Sequence, residues 1–329
     1  MKTDTKAYLI DFIKKNNQSS PAELQKHLQI SPQALHRHLK TLVELGHLKR
    51  VGKPPSVFYL LVDHSLILPK VEIDPDDIFF LEERYTYINP KGRILEGLDG
   101  FREWAENTKQ GKYLSSLVKE FIKVRKESDE FFNTNHLIDA TKKFSSTFSD
   151  NALDEIYYSD FYSLPKFGKT PLGALVLYAK QAQDRKLVQK IANQCRKNIE
   201  RLIKEKKIQA LAWAPHSIPR KIQFLKELRA QWNFQLPEIV FSKAYEGEVP
   251  VAQKSLSKLE ERIQNANSTL FPKISSLAFN KILIVDDAVG SGSTLEAMAK
   301  KLKKMNSKIH VIGYAIVGSL KGFEVIKEI

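Results

Sequence analysis

Two adjacent carboxylates, Asp286 and Asp287, stand between four apolar residues and a loop of glycine and hydroxyl side chains in "KILIVDDAVGSGSTLEAMAKKL", residues 281–302. Backbone N–H groups from Val289 to Thr294 can curl around one phosphate, because Gly290 and Gly292 permit close approach and unusual dihedrals. Ser291, Ser293 and Thr294 add hydroxyl donors, and the helix expected from about Leu295 offers the positive end of its dipole. Two carboxylates touching a phosphate would repel it. They must face something else, either sugar hydroxyls or the water shell of Mg²⁺. One phosphate beside one diol is the geometry of a ribose 5-phosphate group.

The elements around this stretch alternate from about residue 165 onward. "PLGALVLYAKQAQDRKLVQKIANQCRKNIERLIKEK" reads as helix, "IQALAWA" as strand and "RKIQFLKELRAQW" as helix. "EIVFS" and "KILIVDD" read as strands, "STLEAMAKKLKKM" as helix and "KIHVIGYAIV" as strand. Short apolar runs alternating with helices predict a doubly wound parallel sheet. Ligands of such sheets sit at the carboxyl ends of the strands, where Asp286 and Asp287 fall.

The opposite end of the chain has a different character. "KAYLIDFIKKN" predicts a helix with Tyr8, Leu9, Phe12 and Ile13 on its apolar face. Ser20, Pro21 and Glu23 form a helix start with a capping box, and Ser31-Pro32 is a second start. The third helix, "PQALHRHLKTLVELG", puts Leu35, Leu39, Leu42 and Val43 on one face and stops at Gly46. "HLKRV" and "VFYLLV" read as two strands joined by the turn "GKPPS". Three helices and a hairpin over residues 1–62 resemble a winged helix-turn-helix domain. The resemblance implies DNA as partner, with the third helix in the major groove and the wing on the backbone. Gln33, His36, Arg37 and Lys40 would then face DNA, and Lys53 would meet phosphate. Ten Lys/Arg against four Asp/Glu in this stretch, an excess of six positive charges, suit a polyanionic partner. The same surplus also fits a solvated face on a winged helix used for protein contacts. His36 and His38, two apart on a helix, point different ways and read as surface residues.

Composition sets the outer limits. The 329 residues suffice for two or three domains, and 42% hydrophobic content allows a full core. A net charge of +14 favours nucleic acid, phosphorylated ligands or acidic lipid without choosing among them. The single cysteine, Cys195, excludes a disulfide framework and a thiolate zinc site. With no signal-peptide pattern and no run near ~18 apolar residues, the expectation is a cytoplasmic protein without a membrane partner. Residues 63–160 carry amphipathic patterns such as "YLSSLVKEFIKVRKESDEFF" and "HLIDATKKFSSTF" and no catalytic spacing. They are expected to be a helical connector, one that could also pair two subunits.

"ILIVDDAVGSGSTL" resembles the phosphoribosyl pyrophosphate (PRPP) motif of type I phosphoribosyltransferases, with Ser291 where threonine is usual. The resemblance implies that Asp286 and Asp287 bind the ribose hydroxyls. It gives the 5′-phosphate to the loop from Ala288 and Val289 through Gly290, Ser291, Gly292, Ser293 and Thr294. Mg²⁺ would arrive with PRPP and not by direct protein ligation. "FGKTPLGALVLYAKQ" is similar to the opening segment of the ComF-like branch. "VAQKSLSKLEERIQNANSTLF" is similar to that branch's hood, through Gln253, Leu256, Arg262, Asn265 and Phe271. Lys243 and Arg262 could approach a pyrophosphate there, or could equally be solvated cations. One departure matters. "APHSIPRKIQFLKELRAQ" keeps Pro215 and Arg220 but lacks the Gly-Phe-Asn-Gln that follows arginine in that branch, in the loop that binds pyrophosphate.

"SLPKFGKT", residues 163–170, approaches a P-loop but has Ser163 in place of the first glycine, no launching strand, and Pro171 directly after it. The expected architecture is therefore α/β, in three parts: a winged helix-turn-helix domain over 1–62, a helical connector over 63–160, and a phosphoribosyltransferase-type sheet flanked by helices over 161–329. Two functions fit this plan. One is a transcription regulator that senses PRPP or a nucleotide, a homodimer if it reads a palindrome. The other is a phosphoribosyltransferase with a regulatory arm, in which case Asp286 and Asp287 would also be its catalytic carboxylates.

Overall fold

The computed structural model describes residues 5–62, 72–148, 150–216, 218–245, 247–249, 251, 253–274 and 278–320. The chain divides into two compact units, one up to Val71 and one from Glu72 onward.

The first unit runs α1 (Thr5–Asn16), α2 (Pro21–Leu28), α3 (Pro32–Glu44), β1 (Leu48–Lys53) and β2 (Ser56–Leu61). Ser20 caps α2 through a reciprocal box. Its Oγ accepts the Glu23 amide at 3.3 Å, while its own amide donates to Glu23 Oε2 at 2.7 Å. Ser31 caps α3 by accepting from the Ala34 amide at 3.2 Å. The two strands pair antiparallel from Leu48↔Leu61 to Lys53↔Ser56. Ser19 and Tyr59 exchange both backbone hydrogen bonds, which ties the α1–α2 loop to the hairpin. Leu9, Ile13, Leu24, Leu35, Leu39, Leu42, Leu48 and Tyr59 fill the core. Two expected core residues lie outside it. Tyr8 is 47% exposed and stacks on the His27 ring, and Val43 is 36% exposed. In short helices the apolar stripe is narrower than the run of apolar residues, so its flanks stay at the surface.

The second unit begins with α4 (Pro75–Arg84), the hairpin β3 (Thr86–Ile88) and β4 (Ile94–Glu96), α5 (Gly97–Asn107) and α6 (Leu114–Asp129). It continues through β5 (Ile138–Asp139), α7 (Thr141–Thr147), β6 (Glu155–Phe161), the hairpin β7 (Ser163–Leu164) and β8 (Gly168–Lys169), α8 (Pro171–Ala182) and α9 (Arg185–Lys206). Then come β9 (Ala210–Trp213), α10 (Phe224–Trp232), β10 (Glu238–Ile239), β11 (Phe241–Lys243) and α11 (Leu259–Thr269). The described residues close with β12 (Leu270–Pro272), β13 (Lys281–Val289), α12 (Ser293–Met305) and β14 (His310–Gly318). The six-stranded sheet has the order β10-β9-β13-β14-β6-β5, parallel throughout except for β5 on the edge.

The helical connector expected over 63–160 is not a separate body. Its described part, from Glu72, belongs to the second unit and supplies two strands of the main sheet. β6 escapes a reading by alternation because six of its seven residues are buried, as befits a strand covered on both faces. "HLIDATKKFSSTF" is not one helix: β5 precedes α7, and Asp139 caps the turn by accepting from the Thr141 amide at 2.9 Å. The single helical run from Pro171 to Lys206 breaks at Gln183, which is left-handed at φ 52°, and restarts on Asp184 as N-cap. "EIVFS" divides between β10 in the main sheet and β11, which pairs with β12 in a separate hairpin.

Leu283 and Val285 of β13 pack with Ile312, Tyr314 and Ile316 of β14 against Val176 and Ala179 of α8, Ile191, Cys195 and Ile199 of α9, and Leu228 and Trp232 of α10. Ile282 and Ile284, on the opposite face by strand alternation, are fully buried, as are Leu295, Met298 and Leu302 of α12. Both faces of the sheet are thus covered, and its functional chemistry falls at the strand ends.

Candidate functional site

β13 is the pivot of the sheet. From β9 the chain moves outward to β10, and from β13 it moves the other way to β14. The connections that leave β9 and β13 therefore part in opposite directions and open a crevice between the two carboxyl ends. Asp286 and Asp287 lie at that point, and an open cleft of about 1280 Å³ spreads from it. That volume exceeds the ~300–1,000 Å³ of ordinary small-ligand pockets and has room for a nucleotide.

The loop turns from β13 into α12 through Gly292, whose φ of 76° is a left-handed conformation that suits glycine. Ser291 and Ser293 are buried, with their hydroxyls 2.9 Å apart. No side chain caps α12, so the first-turn amides of this helix have no side-chain acceptor from its N-cap. Ala288, Val289, Gly290, Ser291, Gly292, Ser293 and Thr294 all line the cleft. The diacid and the loop expected to act together are thus brought together.

Charge at the diacid is strongly perturbed. Burial, and then the charge of Asp287, push the Asp286 carboxyl up to about 7, against the Asp287 amide and the cations of Lys180 and Lys243. Asp286 Oδ1 accepts the Asp287 amide at 2.7 Å. Lys243, on β11, lines the cleft; burial lowers its pKa and Asp286 pulls it back up. Arg262 also lines the cleft, but it is 8% exposed and its Nε donates to the Leu256 carbonyl at 2.8 Å. Gln253 donates to the Arg262 carbonyl at 3.0 Å, so Gln253, Leu256 and Arg262 close on one another at the wall of the cleft.

The residue that sequence reasoning missed is Lys180. Its Nζ lies 2.6 Å from Asp287 Oδ2, and the two side chains are 19% and 18% exposed. Arg220, kept in the altered loop after β9, donates from Nη1 to the Lys180 carbonyl at 2.6 Å. The one available signal was a lone cation inside the apolar run "GALVLYAKQA". The resemblance brings Mg²⁺ with it, and the diacid is a poor fit for a directly held dication. Asp287 is already ion-paired, Asp286 feels two ammonium groups, and among the described residues no cluster of three metal-ligating side chains occurs.

In the first unit, Gln33, His36, Arg37 and Lys40 are all exposed on α3, and Lys53 is exposed at the end of β1. Lys40 lies 3.8 Å from Glu44, one turn on. Arg50 on β1 is exposed as well and went unnoticed, since its side chain is not marked out by the strand pattern.

A parallel sheet with a diacid at its pivot and a Gly/Ser loop feeding a helix defines a phosphoribosyltransferase-type domain, joined in this chain to a winged helix. Residues 185–319 match the family model of the phosphoribosyl transferase domain, and residues 3–55 match that of the MarR family. No curated protein matches the chain. Among solved structures, a hypoxanthine phosphoribosyltransferase from Staphylococcus aureus is similar at 12% identity over 44% of this chain and 70% of that one, with a TM-score of 0.26. A hypoxanthine-guanine phosphoribosyltransferase from Bacillus anthracis is similar at 13% identity over 44% and 74%, TM-score 0.28. The xanthine-guanine-hypoxanthine phosphoribosyltransferase of Helicobacter pylori is similar at 16% identity over 43% and 79%, TM-score 0.27. No helix among the described residues is long and apolar enough to cross a membrane.

Proposed function

We propose that this protein is a DNA-binding transcription regulator whose phosphoribosyltransferase domain senses PRPP or a nucleotide. One observation carries the ligand assignment: Asp286, Asp287 and the loop 288–294 share the wall of one cleft at the pivot of the sheet. The loop amides and hydroxyls would take the 5′-phosphate, and the carboxylates would accept from the ribose hydroxyls. Within the family, the ComF-like branch is our reading, supported by the Gln253, Leu256 and Arg262 contacts of the hood. For the first unit, the MarR family match and the exposed Gln33, His36, Arg37 and Lys40 support α3 as the groove-reading helix. A cytoplasmic homodimer on a two-fold operator completes this reading.

The enzyme reading is phosphoribosyl transfer from PRPP to a nucleobase, and the size of the cleft favours it. Phosphoribosyltransferases in general use Mg²⁺ with PRPP, and here the ion would travel on the ligand. The regulator is preferred because Arg220, in the loop that would serve pyrophosphate, holds the backbone of α8. Calorimetric titration of PRPP, followed by an assay of pyrophosphate release over a panel of bases, separates the two. Binding without release supports the sensor, release identifies a transferase, and absence of binding refutes both. Asp286→Asn combined with Asp287→Asn should abolish binding with the fold intact.

A further inference from the structure

The diacid of the cleft carries its own cations. Lys180 meets Asp287 at 2.6 Å, well shielded from solvent. It stands in the last turn of α8, and three contacts hold that helix in position. Thr170 caps its start by accepting from the Gly173 amide at 3.0 Å. Gly173 packs on the Tyr162 carbonyl so closely that a Cβ there would collide with it. Arg220 fixes the far end through the Lys180 carbonyl itself.

An ion pair this sheltered adds little stability once the desolvation of both groups is counted. Neighbouring Ala179 is in the apolar core, whereas Lys180 and Asp287 both line the cleft. The pair thus joins α8 to β13 at the wall of the cleft, where a ligand can meet it. Lys243 attracts Asp286 from β11, so the two carboxylates are matched by two ammonium groups. A divalent cation is required where carboxylates and a phosphate group must share a small volume and nothing else relieves their repulsion. At this site the relief is built from side chains.

Resting on the ribose 5-phosphate reading above, we propose that this cleft binds a ribose 5-phosphate ligand without a divalent cation, Lys180 and Lys243 supplying at Asp287 and Asp286 the charge a metal would bring. Lys180 is then a positioning residue. Its ammonium orients the Asp287 carboxylate toward the diol and screens it from the phosphate.

The test is calorimetric titration of ribose 5-phosphate into the full chain, once in EDTA and once in excess Mg²⁺. The wild-type protein should bind with the same affinity in both buffers. Lys180→Met should lose about tenfold or more in EDTA, as expected for truncating one partner of a half-buried charge pair, and should recover affinity in Mg²⁺. Lys180→Arg, which keeps the charge, should retain metal-free binding; this guards against a merely structural loss in the methionine variant. A wild-type affinity that collapses in EDTA, or a Lys180→Met variant that binds in EDTA as the wild type does, overturns the proposal and leaves the ribose-phosphate reading standing. No binding by the wild type in either buffer removes that reading, and the proposal with it.

Discussion

Replacing Asp286 with asparagine should stabilise the protein, and by more at pH 8 than at pH 5. In the fold this carboxyl titrates at about 7 because it is buried beside Asp287, against an ordinary value of 3.8. A carboxyl raised in this way binds its proton more tightly folded than unfolded. Stability therefore falls as pH climbs from about 4 to about 7 and stays low above that. At pH 8 the charged side chain costs the fold roughly three pH units' worth, about 4 kcal/mol. At pH 5 the folded protein holds the proton while the unfolded chain has mostly lost it, and the cost is about 2 kcal/mol. The gap of about 2 kcal/mol is an upper bound, because Asp286 titrates in the field of its charged neighbours, so about 1–2 kcal/mol is expected. For a unit of this size that is ~2–4 °C in Tm. Asparagine keeps an oxygen for the Asp287 amide, so no hydrogen bond is lost. Scanning calorimetry of both proteins at both pH values supplies the readout, and comparing the two cancels the titrating groups that do not interact with Asp286. An equal Tm difference at pH 5 and pH 8, or a variant less stable at pH 8, would refute the assignment of a buried, repelled carboxylate.

Three further outcomes are expected. Arg37→Ala should weaken duplex DNA binding and lower the dependence of affinity on salt, with stability unchanged to within about 0.5 kcal/mol; an unaltered salt titration removes Arg37 from the interface. Gly292→Ala should cost about 1–2 kcal/mol, since its φ of 76° is disfavoured for alanine, and should weaken ribose 5-phosphate binding through the distorted loop. Urea unfolding and the same titration check both effects. Glu155 is pushed up by burial, yet hydrogen bonds from Lys206, Tyr157 and His310 outweigh this and hold it at about 2. The stability it contributes is full above its ordinary value of 4.5 and is lost as pH falls toward 2. Glu155→Gln should therefore cost about 1–3 kcal/mol at pH 7 and little near pH 2, as chemical denaturation at the two pH values would reveal.

What was legible in the sequence was what is contiguous in it. Asp286, Asp287 and the loop to Thr294 occupy one short stretch, so strand, diacid and phosphate-sized turn could be read together. The winged helix was equally open, because Ser20, Glu23 and Ser31 announce their helices by local hydrogen bonding. Lys180 stayed hidden because its significance is an ion pair across the fold, and nothing near it in the sequence points to Asp287. β6 stayed hidden for a different reason. A strand in the middle of a sheet needs no polar alternation, and "EIYYSDF" shows none to set it apart from a helix. The hood is intermediate: its Gln-Leu-Arg pattern was visible, but not that Arg262 would spend its Nε on the Leu256 carbonyl.

The place of β6 bears on how the chain becomes a protein. Its strand partner on the inner side is β14, which emerges from the ribosome only after β9 and β13 have been made. Until then the one strand residues 155–161 can pair with is β5, a two-residue neighbour, while α7 and α8 are already available to pack on them. Such long-range parallel pairing is slow, and incomplete chains with open strand edges are sticky. Translation that stalls anywhere between Arg185 and His310 would leave the second unit without its closing strand. The pairing of β6 with β14 is thus the step that closes the sheet, and it comes after every other strand has been made.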